Sequence, residues 1–214
     1  FCQWANSGSP IGHYAVDKNV YLDDLSPTVF HGNSEHIDEA LNQNTAEIRV
    51  RAIRSLNATE ANLNKALGDK DYTVRVAAQN PNATEANLNK ALGDKDYTVR
   101  RVAAQNPNAT EANLNKALGD KDYTVRRIAA QNPNATEANL NKALDDEAEE
   151  VRASAAENPS ATAANLNKAL DDEAKEVRIE AAQNPNATRE TLEKALGDKN
   201  KSVKFVAAKR LKGD

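Results

Sequence analysis

NATEANLNKALGDKDYTVR runs from Asn57 to Arg75, and the same nineteen letters stand unaltered from Asn82 to Arg100 and from Asn108 to Arg126. Edited copies open at Asn134, Ser160 and Asn186, and a worn copy begins near His31, where Ile37, Ala40 and Leu41 match Leu88, Ala91 and Leu92. Tandem similarity at a period of about 26 residues marks a solenoid, in which each unit packs only on its neighbours. The expected fold is therefore all-α: a solenoid of seven short helical hairpins, with units starting near 31, 57, 82, 108, 134, 160 and 186.

Spacing within a unit predicts the two helices. Thr84, Leu88, Ala91 and Leu92 fall at i, i+4, i+7 and i+8, one stripe of a first helix. Either Asn82, forming a capping box with Glu85, or Thr84 starts it. The position after Leu92 is Gly68, Gly93, Gly119 or Gly197 in some units and Asn42, Asp145 or Asp171 in others. These residue types share tolerance of the left-handed conformation, so a left-handed helix end is expected there. A second helix runs from about Tyr97 to Gln105 with Val99, Val102 and Ala103 inward, until Asn106-Pro107 stops it. The unit from Asn57 lacks one residue between Arg75 and Val76, which predicts a shortened or bent second helix there.

Residues 1–30 do not repeat and are read as a capping segment, with Phe1, Trp4, Ile11, Tyr14, Tyr21, Leu25 and Phe30 covering the first apolar face of a repeat domain spanning 31–214. The chain opens on Phe1 and contains no methionine, so its start is expected upstream. Only 4% of residues are aromatic, so alanine and leucine must do the packing. Four larger apolar side chains per unit cannot offset the entropy of ordering a whole hairpin, so no unit folds alone. Seven hairpins at ~8–10 Å spacing make a rod of roughly 60–70 Å.

The pattern L-x-D-x-x-x-x-V-R, as in Leu92, Asp94, Val99 and Arg100, resembles HEAT-type repeats, in which an Asp and an Arg six residues on form a ladder through the stack. The pairs on this pattern are Asp69–Arg75, Asp94–Arg100, Asp120–Arg126, Asp146–Arg152 and Asp172–Arg178, with Lys204 replacing the arginine after Asp198. The phrase VRRVAAQNPNAT is closer still to the leucine-rich repeat variant. That resemblance implies a right-handed superhelix of short helical units. The cysteine cluster of some variant-family members is missing, so no iron–sulfur centre carries over.

Net charge is -4, which gives no electrostatic reason to expect nucleic acid or anionic membrane. No apolar run approaches the ~20 residues that cross a bilayer, and the reading is of a soluble protein whose compartment is left open, the cytoplasm being favoured. The lone Cys2 makes no internal disulfide, and no Cys/His cluster suits a metal; no cofactor is expected. His13, His31 and His36 stand without a nucleophile at motif spacing, so no catalytic residues are assigned. The Asp/Arg row reads as an internal ion-pair stack and the Asn-Pro asparagines (Asn80, Asn106, Asn132, Asn158, Asn184) as turn satisfiers. Asn57, Asn82, Asn108, Asn134 and Asn186 each open an N-A-T sequon that helix capping explains without a sugar.

What remains is where copied units differ. Tyr72, Tyr97 and Tyr123 align with Glu149, Lys175 and Lys201, and Arg101 and Arg127 with Ala153, Ile179 and Phe205. These tolerant positions are expected to be exposed, and Tyr and Arg are favoured at interface centres. The reading is a noncatalytic scaffold or spacer that uses Tyr72, Tyr97, Tyr123, Arg101 and Arg127 to contact another protein, periodic or extended, and no small molecule. The alternative for the stripe itself is drift after duplication. Other HEAT-like proteins repair alkylated DNA or attach bilin pigments, and these are the alternative functions; either would need a pocket of acid, base or aromatic groups that the units do not display.

Overall fold

The computed structural model describes residues 32–213, and the predicted capping segment, with Cys2, His13 and His31, lies outside them. Every regular element among these residues is helical. Seven hairpins follow in chain order: α1 (Ser34–Leu41) with α2 (Ala46–Ile53), α3 (Glu60–Ala66) with α4 (Tyr72–Arg75), α5 (Glu85–Ala91) with α6 (Tyr97–Gln105), α7 (Glu111–Ala117) with α8 (Tyr123–Gln131), α9 (Glu137–Ala143) with α10 (Glu149–Glu157), α11 (Ala163–Ala169) with α12 (Lys175–Gln183), and α13 (Arg189–Leu196) with α14 (Lys201–Leu211). First helices stack on first helices and second on second, α6 on α8 and α8 on α10, so two layers enclose one continuous core.

Each unit buries the same short set of side chains. In the third, Leu88, Ala91, Leu92, Val99, Ala103 and Ala104 are all buried. Val102, expected inward, is only half-buried, and Ala104 with Arg100 takes that side instead. Leu88, Leu92 and Val99 are the large side chains in the set, and small alanines elsewhere let the helices approach closely.

The first helix is capped by Thr84. Its side chain accepts the Asn87 N–H, while Asn87 Oδ1 accepts the Thr84 N–H, a reciprocal box that recurs at Thr59, Thr110, Thr136 and Thr162. Asn82 therefore does not cap. The helix stops where expected, but no left-handed residue ends it: among the described residues only Gly213 has a positive φ. The chain instead tightens into a last turn in which the Gly93 and Asp94 N–H groups donate to the Lys90 and Ala91 carbonyls, both at 3.0 Å. A Cβ at Gly93 would sit 3.3 Å from the Lys90 carbonyl oxygen, a crowding that a small shift relieves, and Asp145 and Asp171 occupy the same place. Glycine here relieves crowding and supplies no special φ.

The short unit behaves as its missing residue predicts. The α-helix of α4 lasts four residues and passes into a 3₁₀ segment, Val76–Gln79. Three residues per turn in place of 3.6 bring Ala77 and Ala78 to the buried positions that Ala103 and Ala104 hold in the next unit. Overwinding thus restores the inward register. Inserting an arginine between Arg75 and Val76 is expected to convert the segment to α-helix and to raise helical ellipticity, with stability unchanged or slightly higher by denaturation. A loss above ~1 kcal/mol would show that the 3₁₀ segment is required rather than tolerated.

Candidate interaction surface

Several rows of polar side chains run through the stack and decide which surface is left for anything else. The first is the arginine row. Arg100 Nε donates to Asp120 Oδ2 at 2.6 Å and its Nη2 to Asp120 Oδ1 at 3.0 Å, a forked pair with the next unit, while Nη1 donates to the Asp94 and Lys95 carbonyls of its own turn. The same bridge joins Arg49 to Asp69, Arg75 to Asp94, Arg126 to Asp146, Arg152 to Asp172 and Arg178 to Asp198. The expected pairing of each arginine with the aspartate six residues before it is thus corrected: only that residue's backbone carbonyl is used, and the carboxylate belongs to the following hairpin. The Asp120 hydrogen bond moves the Arg100 pKa upward against the opposing effect of burial.

The second row is the asparagine before each proline, buried rather than at an exposed turn. Asn106 Nδ2 donates to the Ala78 and Asn80 carbonyls of the preceding unit at 2.6 and 3.1 Å, and its Oδ1 accepts the Asn108 N–H of its own turn at 2.8 Å. Asn132, Asn158 and Asn184 repeat this. The sequon asparagines follow the same logic: Asn82 Nδ2 donates back to the Leu56 and Ala58 carbonyls, and Asn108, Asn134 and Asn186 reach the preceding unit in the same way. In the third row Asn87, beyond its capping role, donates to the Glu60 carbonyl.

The rows have edited ends. The first described unit has Gln43 where later units have the bridging aspartate, and Ser55 where they have the buried asparagine; Ser55 Oγ accepts the Asn57 N–H and makes no reach backwards. In the last described hairpin Lys204 stands in the arginine's place. Arg210 replaces the asparagine there, and its Nη1 donates to the Ala182 and Asn184 carbonyls. That arginine takes over the asparagine's backward reach.

Against this background the predicted stripe is distinct. Tyr72, Tyr97 and Tyr123 open α4, α6 and α8 and are 47, 51 and 48% exposed. Arg101 and Arg127 lie one turn on, on the same face as Tyr97 and Tyr123, and are half-buried rather than fully exposed. None of the five side chains takes part in a bond between units. Asp71 and Asp122, the caps before Tyr72 and Tyr123, have lowered pKa values, chiefly through side-chain hydrogen bonds from Thr73 and Thr124. His36 is exposed on α1, no His/Cys/Asp/Glu group suited to a metal ion occurs among the described residues, and no described helix is long and apolar enough to cross a membrane.

The grooves on this surface are shallow. One of about 300 Å³ is lined by Ile53, Arg54, Val76, Ala77, Gln79, Asn80 and Pro81, beside the 3₁₀ segment, and another of about 230 Å³ lies among Gln131, Ser154, Glu157, Asn158 and Pro159. Both fall at or below the lower end of what small-ligand pockets need, and a larger hollow of about 440 Å³ lies on the first-helix layer among Glu85, Ala86, Asn89, Ala112 and Asn113. Sequence reasoning found the arginine ladder but not its partners and missed the backward reach of the asparagines, although the changes at Gln43, Ser55, Lys204 and Arg210 were the signal that could have shown both.

Helical hairpins that share one core and are bolted together through buried polar rows define an α-helical repeat solenoid. Its fold is similar to that of a solved structure described as a leucine-rich repeat variant with a novel repetitive protein structural motif, with a TM-score of 0.63 and 22% identity over 84% of this chain and 72% of that one. No family model and no curated protein matches the chain.

Proposed function

We propose that the chain is a noncatalytic scaffold that binds another protein through the exposed face of its second helices, with Tyr72, Tyr97, Tyr123, Arg101 and Arg127 as contacts. One observation carries this reading: three identical tyrosines, about half exposed, recur at one-unit spacing with no bond to the stack, whereas Arg100, Asn87 and Asn106 and their counterparts bond between units. Rigid amphipathic tyrosine and forked arginine are the side chains that interface centres favour. Copies at even spacing suit an extended or periodic partner better than a compact ligand, because each unit offers the same group.

The triple variant Tyr72→Ala/Tyr97→Ala/Tyr123→Ala tests it. The partner captured by the unaltered chain is expected to be lost, at about 2 kcal/mol or more for any tyrosine that is a hot spot, while thermal stability stays nearly unchanged. Retention of the partner at full affinity would remove the stripe from the binding surface.

A further inference from the structure

The face that carries the tyrosines changes sign along its length. On α12 the tyrosine's place falls to Lys175, which lies 3.5 Å from the neighbouring Glu176 carboxylate. On α6 and α8 the face presents Arg101 and Arg127, and on α10 and α12 it presents Glu149, Glu157 and Glu180. None of these five is tied up in an ion pair within the described chain, in contrast to the arginines one residue before them on α6 and α8. Glu180 is half-buried, and its pKa is raised first by that burial and then by the neighbouring charge of Glu157. Two carboxylates therefore repel each other across one junction with no cation supplied by the chain.

We infer that this face binds an extended polypeptide of bipolar charge, its acidic stretch over α6 and α8 and its basic stretch over α10 and α12. The inference rests on the reading of the second-helix face as the binding surface and adds what the partner must look like. Adjacent helices at ~8–10 Å put four of them across ~32–40 Å, which an extended chain at ~3.3 Å per residue covers in about 10–12 residues. Such a chain advances one unit in about three residues, the turn of a polyproline II helix, so every third side chain returns to the same face. The second helices pack closely on one another, so this face is a continuous row offering the same positions at each step, which suits a threaded chain better than a second rigid copy. A second copy turned end for end is the competing occupant, because acid would then also meet base.

The test uses fluorescence anisotropy with a labelled peptide of about six glutamates followed by about six lysines, and a second peptide with the same residues alternating. The block peptide is expected to bind at least ~tenfold more tightly at low ionic strength, to weaken with added salt, and to lose that advantage against Arg101→Glu/Arg127→Glu of unchanged thermal stability. Equal binding of the two peptides, or no binding, overturns the inference. So does a dimer in sedimentation that the same arginine reversals dissolve, since the occupant is then a second copy. A protein partner that needs the three tyrosines yet ignores the arginine reversals would sink only the bipolar assignment and leave the binding surface standing.

Discussion

Replacing Asn106 by alanine is expected to destabilise the array by about 3–5 kcal/mol, because one buried side chain holds three backbone groups in two hairpins. Its removal strands the Ala78 and Asn80 carbonyls and the Asn108 N–H where little water reaches them. Each unsatisfied buried group costs about 1–3 kcal/mol, partly recovered if water enters. Asn106→Asp separates the two halves of the role: the carboxylate still accepts the Asn108 N–H but faces two carbonyl oxygens, so it is expected to be no better than alanine. Ser55→Ala is the matched control. Ser55 makes only the within-turn bond, so its loss is expected to cost a single hydrogen bond, about 1 kcal/mol. Urea denaturation monitored by helical ellipticity measures all three. Equal effects at Asn106 and Ser55 would show that the backward reach contributes nothing.

The second large effect belongs to the arginine row. Arg100→Met leaves Asp120 buried without its counter-charge and strands the Asp94 and Lys95 carbonyls, and breaking one side of a buried pair costs about 3–5 kcal/mol. The consequence for a linear stack goes beyond a lower midpoint. Stability in such an array is a sum of unit and junction contributions, so a weakened central junction uncouples the hairpins on either side. Unfolding is expected to change from one transition to two, and loss of coincidence between probes placed in α2 and α14 would show it. The double variant Arg100→Met/Asp120→Leu is expected to recover part of the loss, because no buried charge then remains. Lys204→Met, at the same place in the last hairpin, is expected to change stability by less than ~0.5 kcal/mol. A single sharp transition for Arg100→Met would contradict nearest-neighbour coupling.

These two predictions concern side chains whose partners in other units the sequence did not show, and for Asn106 it did not show the burial either. Arg100 has an aspartate six residues before it and another twenty residues after it, identical in type and context, and exact repetition makes the two indistinguishable as text. The same degeneracy hid the backward reach of Asn82, Asn87 and Asn106: an asparagine next to a helix start or a proline already has a sufficient local explanation. The candidate surface was legible for the converse reason. Positions free to vary between copies are those without a fixed partner, which is why Tyr97 and Arg101 could be picked out before any coordinates, although the half-burial of Arg101 could not.

The repeat by itself determined the hairpins, their number, their order and the points where each helix stops, because these follow from local periodicity and from chain entropy that one hairpin cannot overcome. It also carried the shortening of the second helix in the unit from Asn57, while the 3₁₀ segment at Val76–Gln79 that restores the register came from the structure. Only the tertiary structure decided that Gly93 needs no left-handed turn, that Thr84 rather than Asn82 opens the helix, and that every polar row ties a hairpin to its neighbour. Those are facts about distances between units, and a chain of identical units states its own composition many times without stating which copy touches which.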